Sequence, residues 1–345
     1  MVISFVESSA VELVKTEGDV LYYRGSFHPD LAVGPLPFGG VIISTVLSAV
    51  AAAVQDKQVK DVIHLTVNFL RACVTAPCDI CVTFVRSSKS FINLDVTIIQ
   101  QNRQRIAAHA LVGTLSDAPL DTTTAPPLSL APGHPLSRKI PITVHPSQAQ
   151  PVPLPPHWGM ARSVCVAPDL LYDSRNKLKL RTRNDGSDPN MNGIIEYGGF
   201  LQFLHPMDTL QQCTLPVVAD MLPAVPRLLP PEEAKKLGDT GYSWHPTMTF
   251  SIDFKHRIPR GSSYSTNTAT IYSQCRFMTD GRGEYNVEIW TAPAGTLGDE
   301  SACVEPQWRE KMVCLATATQ MALSMTGEAS LRVGEKANVA REAKL

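Results

Sequence analysis

His64 is a candidate for proton transfer, because it stands in a polar row on a strand-like segment. In VIHLTVNFLRA (62–72), apolar residues alternate with His64, Thr66 and Asn68. A period of two places these three polar side chains on one face of a β-strand. Because histidine changes charge near neutral pH, His64 could act as a general base, with Thr66 and Asn68 binding substrate. A half-exposed strand of any protein shows the same pattern, so both interpretations stay open.

A second alternating segment, WHPTMTFSIDFKHRI (244–258), carries Thr249, Ser251 and Asp253 on one face. A carboxylate can accept a proton from water, and hydroxyl groups can bind a substrate through neutral hydrogen bonds. Asp253 could therefore serve a catalytic site whose substrate Ser251 contacts. The alternative is that Asp253 is an ordinary exposed carboxylate on a strand.

Gly39 and Gly40 close the turn-rich segment VGPLPFGG (33–40), directly before the apolar helix pattern VIISTVLSAVAAAVQ (41–55). The first amides of a helix have no intrahelical partner, so they can stabilise a developing oxyanion. Glycine lets a substrate carbonyl approach such amides closely. A tight strand-to-helix turn would need the same two glycines, and the sequence favours neither interpretation.

Composition and motifs argue against several classes of function. With 31 Lys and Arg against 32 Asp and Glu, the net charge is −1, which offers no basic face for nucleic acid. No window has the ~20 apolar residues that cross a bilayer, and the first residues do not form a secretory signal. The G-x-S-x-G, G-x-G-x-x-G, P-loop and H-E-x-x-H patterns do not occur, so we expect no cofactor. Cys78 and Cys81 form a C-x2-C pair without a partner pair at zinc spacing, which favours buried thiols over a metal site.

The elements that must position these residues occur twice along the chain. A strand pattern, a helix pattern and a set of long strands appear before residue 119 and again after residue 158. The second helix is predicted over 206–222, with a kink or break at Pro216. Between the two copies, residues 119–156 hold 11 of the 27 prolines, which indicates an extended connector. We therefore predict four parts, which are an N-terminal unit (1–118), a linker (119–158), a C-terminal unit (159–328) and a tail (329–345).

This ordered series resembles the double-hotdog acyl-CoA thioesterases. The strand of the family's first unit resembles HLTVNFLRA, and the glycine-glycine start of its helix resembles GPLPFGGVIISTVLSA. The helix of the family's second unit resembles LPVVADMLPAVPRLL, and its strand resembles HPTMTFSIDFKHR. The resemblance implies an α+β fold with two antiparallel sheets, each wrapped around a central helix. It also implies a cofactor-independent thioester hydrolase acting on a small-molecule acyl substrate.

The resemblance further implies a site in the second unit. The family's acid is expected five residues before the strand phenylalanine, which is Phe254 here, and Thr249 stands at that place. Asp253 lies four residues further on, roughly 13 Å along the strand. Gln320 matches the family's glutamine in the last strand. We therefore expect Thr249 and Gln320 to hold the water, with His64 as the counterpart of Thr249 in the first unit.

Three hypotheses for the function follow. The leading one is hydrolysis of a medium-chain or bulky acyl-CoA thioester. Because Thr249 replaces the expected acid, the second is a cyclase, dehydratase or isomerase acting on a small hydrophobic metabolite. A hotdog hydratase is disfavoured, because Asp30 lacks a histidine five residues later. The third hypothesis is a binding protein without catalysis.

The sequence ends in Ala343, Lys344 and Leu345, which resemble a peroxisomal address of the S-K-L type. This predicts import through the peroxisomal receptor, with the cytoplasm as the alternative location. A homo-oligomer is a further possibility that exposed faces in one sequence cannot rank.

Overall fold

The computed structural model describes residues 3–118, 123, 125–130, 132, 134–155, 158–185, 193–238, 243–295, 297–302 and 304–326. Its helices are α1 (Phe5–Ser8), α2 (Gly39–Ala53), α3 (Leu170–Asp185), α4 (Leu215–Asp220) and α5 (Pro231–Lys236). Its strands are β1 (Glu12–Glu17), β2 (Val20–Ser26), β3 (Ala32–Val33), β4 (Leu36–Pro37), β5 (Asp61–Phe69), β6 (Pro77–Ser87), β7 (Ile92–Gln100), β8 (Arg103–Gly113), β9 (Val164–Pro168), β10 (Ile195–Phe203), β11 (Ser243–Trp244), β12 (Thr247–Phe254), β13 (Tyr264–Thr279), β14 (Arg282–Pro293), β15 (Cys314–Leu323) and β16 (Met325–Thr326).

Twelve strands form one antiparallel sheet in the order β1-β2-β6-β7-β8-β5-β12-β15-β14-β13-β10-β9. The first unit contributes β2-β6-β7-β8-β5, with α2 between β2 and β5 in the chain. The second contributes β10-β13-β14-β15-β12, with α4 between β10 and β12. Each unit thus has a strand, a helix, a central strand and a three-strand meander in the same order. The predicted double-hotdog fold is confirmed, but its two predicted sheets are joined into one by the pairing of β5 with β12.

The two units meet where β5 pairs with β12. Thr66 lies opposite Ser251, and pairs on either side run from His64–Asp253 to Asn68–Thr249. Because the strands are antiparallel and Thr66 and Ser251 are equivalent positions of the two units, a pseudo-two-fold axis passes between them. Leu65 and its partner Ile252 face the helices and are fully buried. The polar residues that pair across this junction lie on the opposite, outer face.

Helix α2 is buried on nearly all sides, which explains its uniformly apolar sequence. Val46, Leu47 and Val50 are at most 2% exposed in the main core. Its two buried hydroxyl groups are satisfied inside the helix, because Ser44 donates to the Gly40 carbonyl and Thr45 to the Val41 carbonyl. A helix with this composition is stabilised by the sheet around it.

The second helix is much shorter than predicted. The expectation of a helix over 206–222 is wrong for its first half, because α4 covers only Leu215–Asp220. Pro216 stands in the first turn of α4, where its lack of an amide proton costs no helical hydrogen bond. The proline therefore marks the start of the helix rather than a kink within it.

A second layer covers the outer face of the second unit. Ile140 and Ile142, from the proline-rich segment, are fully buried in a cluster with Phe200 and Tyr172 of α3. Helix α3 was not predicted, because its sequence is mostly polar; the Asn176 side chain holds it by hydrogen bonds to the backbone N–H and carbonyl of Glu196. Within the described residues, no helix is both long and apolar enough to cross a bilayer.

Candidate active site

Asp220, the last residue of α4, is held against the first turn of α2. The backbone amide of Gly40 donates a hydrogen bond to Asp220 Oδ2 at 2.8 Å. A Cβ on Gly39 would come within 2.7 Å of this oxygen, and a Cβ on Gly40 would meet Val217 Cα at the same distance. The two glycines therefore permit the close contact of the helices, and they place a carboxylate at the positive end of α2.

Thr247 provides the second hydrogen bond to this carboxylate, with Thr247 Oγ1 3.0 Å from Asp220 Oδ1. Strict alternation along β12 would place Thr247 on the outer face with Thr249. A bulge prevents this, because Thr247 pairs with Ala322 of β15 while Thr249 pairs with the adjacent Met321. The extra residue turns the Thr247 hydroxyl group towards the inner face of the sheet.

The environment of Asp220 makes its carboxyl group an unusually strong base for an aspartate. Burial penalises the charged form and raises the pKa of Asp220 to about 6, although the hydrogen bonds from Thr247 and Gly40 oppose this shift. The residue as a whole keeps partial contact with solvent. Such a group is ionised at neutral pH and can still accept a proton efficiently, which is the property required of a general base.

Gln320 lies on the same inner face. It pairs with Phe250 of β12 and Tyr285 of β14, both buried, and it is two residues from Ala322, the partner of Thr247. This spacing corresponds to roughly 7 Å along the strand. Gln320 is 6% exposed, and its side-chain Oε1 is buried without a hydrogen-bond partner among the described atoms. A buried acceptor in this state needs a donor from a water molecule or a substrate.

The structure does not bring Thr249 and Gln320 together. Paired residues share a face of the sheet, and the partner of Thr249 is Met321, so Thr249 lies on the outer face while Gln320 lies on the inner one. The expectation that these two residues jointly hold a water molecule is therefore wrong. The identity of residue 249 has no direct bearing on the inner site.

His64 and Asp253 also lie on the outer face, where they contact each other. His64 Nδ1 is 2.7 Å from Asp253 Oδ1, and the side chains are 31% and 52% exposed. The structure places both away from Asp220, so the catalytic roles considered for them are not supported. Thr66, Asn68 and Ser251, the predicted substrate-binding residues, occupy the same outer face. Of the predicted residues, only Gly39, Gly40 and Gln320 adjoin the inner site.

The first unit has no equivalent polar group at the matching positions. Strand β5 carries a bulge between Val62 and His64, as β12 does between Thr247 and Thr249, so Val62 corresponds to Thr247. Val62 pairs with Val112, and two residues before Val112 stands Ala110, the counterpart of Gln320. Among the described residues, this site takes its acid from the second unit and its helix N-terminus from the first.

The sequence did not single out Asp220, although it lies in LPVVADMLPAVPRLL, the segment that resembles the helix of the family's second unit. The spacing that the resemblance implies led instead to Thr249 on the next strand. The resemblance of this helix is the signal that the sequence offers for Asp220, whereas its hydrogen bond with Gly40 joins the two halves of the chain and has no local pattern.

The thiols and acids of the described residues do not suggest a metal centre. Cys73 and Cys78 are buried in the main core, and burial raises the pKa of each thiol to about 12. No group of three or more His, Cys, Asp or Glu side chains in the described part of the chain could hold a metal ion. Buried thiols of this kind contribute to the packing of the core.

Residues 27–115 match the profile of the acyl-CoA thioesterase N-terminal domain. Over these residues, the first unit is similar to this thioesterase family. The match covers β5, β6, β7, β8 and α2, including Gly39 and Gly40 of the candidate site. The curated proteins with which the chain was compared contain no significant match.

Solved structures extend the likeness to the second unit of this double-hotdog protein. An acyl-CoA thioesterase II, TesB2, from Mycobacterium marinum is 14% identical, with a TM-score of 0.55 over 93% of this chain and 97% of that one. The tesB protein of Mycobacterium avium subs paratuberculosis is 11% identical, with a TM-score of 0.58 over 93% and 98%. A hot dog fold protein of unknown function from Alicyclobacillus acidocaldarius is 17% identical, with a TM-score of 0.61 over 93% and 98%. At these identities the likeness establishes the fold alone, over the part of the chain that is matched.

Proposed function

We propose that this protein hydrolyses acyl-CoA thioesters at the Asp220 site without a cofactor. The observation that carries this proposal is the placement of Asp220. Its carboxyl group has a pKa raised to about 6 and is held by Gly40 and Thr247, on the face of the sheet where Gln320 has an unpartnered acceptor. The similarity of the first unit to the acyl-CoA thioesterase N-terminal domain supports the choice of an acyl-CoA substrate.

The attacking water would lie between Asp220 and Gln320. A water molecule has two O–H donors, and these can be directed to the Asp220 carboxylate and to Gln320 Oε1. This arrangement leaves a lone pair of the water oxygen free for the thioester carbonyl carbon. It also satisfies the buried Gln320 acceptor, which has no partner in the described structure.

The first turn of α2 would stabilise the negative charge that develops on the carbonyl oxygen. Gly39 is the first residue of α2, so its amide has no acceptor within the helix. The adjacent Gly40 amide already holds Asp220, which fixes the acid relative to this donor. Preorganised amide donors of this type typically contribute about 10²–10³-fold to the rate.

The reaction balances with these groups alone. The water oxygen attacks the carbonyl carbon, and its proton passes to Asp220. The tetrahedral intermediate then collapses, the C–S bond breaks, and the proton returns from Asp220 to the thiolate sulfur. The products are a free carboxylic acid and the thiol of coenzyme A.

We keep a medium-chain or bulky acyl group as the proposed substrate class. The alternative of a cyclase, dehydratase or isomerase rested on Thr249 replacing an acid, and Thr249 lies on the outer face away from Asp220. A carboxylate is available at Asp220, so the residues favour hydrolysis over that alternative. A binding role without catalysis is the remaining alternative, and the activity assay below distinguishes it from hydrolysis.

The test is release of free thiol from a panel of acyl-CoA esters of graded length and branching. We expect turnover by the wild-type protein and a loss of at least about 10²-fold for Asp220→Asn and for Gln320→Ala. Thr249→Asp and His64→Ala, on the outer face, serve as matched controls and should keep wild-type activity. Absence of thiol release across the panel, or full activity in Asp220→Asn, would refute the proposal.

We also propose peroxisomal import through Ala343, Lys344 and Leu345, which lie outside the described residues. Fusions of a fluorescent protein to the chain, with and without these three residues, test this proposal. Only the fusion that keeps them should enter peroxisomes. Homo-oligomerisation stays a proposal that light scattering after gel filtration tests.

A further inference from the structure

On the inner face of the second unit, the two sheet neighbours of Gln320 belong to two different apolar clusters. Towards the first unit, its neighbour is Phe250, which is 2% exposed within the main core around α2. Towards the far edge of the sheet, its neighbour is Tyr285, which belongs to a separate small cluster with Val225, Cys275 and Ala322. Of the two directions across the sheet from Gln320, the one towards this small cluster lets an acyl chain avoid the main core.

Small residues line the sheet on that side. Ala322 is the partner of Thr247, and Gly283 is the partner of Ala322 on β14. The ring of Tyr285 lies over Gly283, because a Cβ at Gly283 would come within 2.9 Å of Tyr285 Cε2. The space left by the two small residues is thus occupied by one aromatic side chain.

The short second helix explains why this space exists. Helix α4 ends at Asp220, whereas α2 of the first unit continues for 15 residues. The chain after Asp220 leaves the helical path, and its Val225 amide donates a hydrogen bond of 3.2 Å to the Tyr285 hydroxyl group. Tyr285 therefore fills the region beside the site and also anchors the segment that covers it.

We propose that Tyr285 determines the length of the acyl chain that the site accepts. Its ring is the wall at which an acyl tail beginning between Asp220 and Gln320 must stop. This inference rests on the proposed thioesterase function for the direction of the acyl chain. Replacing the ring by a smaller side chain extends the binding space over Gly283 towards Met278, a residue packed against the same cluster.

The experiment measures binding and hydrolysis separately. Binding of non-hydrolysable S-alkyl-CoA thioethers of graded length is measured by calorimetry, and thiol release is measured from the matching acyl-CoA esters. For Tyr285→Ala, and to a smaller extent for Tyr285→Leu, we expect the preferred chain to lengthen. Each methylene that enters the vacated space should tighten binding about fourfold relative to the wild type.

Two variants serve as controls. Tyr285→Phe removes only the hydroxyl group and should keep the wild-type length profile. Tyr172→Ala deletes a ring of the same size that is 2% exposed on the outer face, and it should leave the profile unchanged. If Tyr285→Ala does not fold, Tyr285→Leu decides the question.

An unchanged thioether profile in the folded Tyr285 variants, or no binding of any thioether, would overturn the inference. Absence of hydrolysis with a shifted thioether profile would instead refute the proposed function and leave the role of Tyr285 in place.

Discussion

Substituting Asp220 by Asn should stabilise the folded protein while it abolishes activity. The pKa of this carboxyl group rises from 3.8 to about 6 on folding, because burial disfavours the charged form. A shift of about two units corresponds to about 3 kcal/mol that the ionised group costs the folded state at pH 8. Asparagine carries no charge, but it loses about 1 kcal/mol because it cannot accept both hydrogen bonds. The net gain is therefore about 2 kcal/mol.

The sign of this effect depends on pH. Above pH 6, Asp220 is ionised in both the folded and the unfolded chain, so the full cost is present. Below pH 6, the folded state takes up a proton before the unfolded state does, and the cost disappears as the pH approaches 4. The advantage of Asp220→Asn should therefore be largest at pH 8 and absent near pH 4.

Differential scanning calorimetry at pH 8, 6 and 4 measures this difference, and we expect a rise in Tm of several degrees at pH 8. Asp253→Asn is the matched control, since this carboxylate is 52% exposed on the outer face and pairs with His64. Its effect should stay within about 0.5 kcal/mol at neutral pH. A Tm of Asp220→Asn below that of the wild type at pH 8, or a difference independent of pH, would contradict the burial argument.

Three further predictions concern the same site. Wild-type kcat/KM should fall about tenfold per pH unit below pH 6, because Asp220 must be ionised, and the ultraviolet absorbance of the thioester bond gives the readout. Thr247→Val should lower kcat about 10–100-fold and move the midpoint of this pH profile upwards, since it removes a donor to the charged carboxylate; a profile unchanged from the wild type would contradict the contact. Gly40→Ala should lower Tm by several degrees, because its Cβ would lie 2.7 Å from Val217 Cα and 2.8 Å from the Pro216 carbonyl oxygen. Gly261→Ala, where the added Cβ meets nothing within 4 Å, is the control for that loss, and equal Tm values would refute the steric argument.

Hydrophobic periodicity predicted the repeated order of strands and helices, and the family resemblance predicted the double-hotdog fold, whereas much of the site was not predicted. The alternation in β5 and β12 and the apolar pattern of α2 are strong because each element is buried against the other layer. The length of α4 was misjudged, because the apolar pattern of 206–222 does not reveal where a helix with Pro216 can begin. Thr247 could not be assigned to the inner face, because a single bulge reverses the face that alternation predicts.

The role of Asp220 was not predicted from the sequence for a different reason. Its role depends on contact with a helix N-terminus from the other half of the chain, which no local pattern expresses. Gln320, by contrast, was predicted from the family resemblance, because it stands in a regular strand that matches the family's last strand. Residues on unbroken strands are thus predictable from the sequence, and residues at bulges and helix ends depend on tertiary contacts.

The pairing of Thr66 with Ser251 also bears on how such a protein can acquire substitutions during evolution. In a symmetric homodimer every substitution appears in both copies, so a residue that improves one site alters the other as well. Here the two copies are joined in one chain, and Val62 and Ala110 could become apolar while Thr247 and Gln320 stayed polar. Covalent fusion therefore allows one half to adopt residues that favour packing while the other keeps those that favour chemistry.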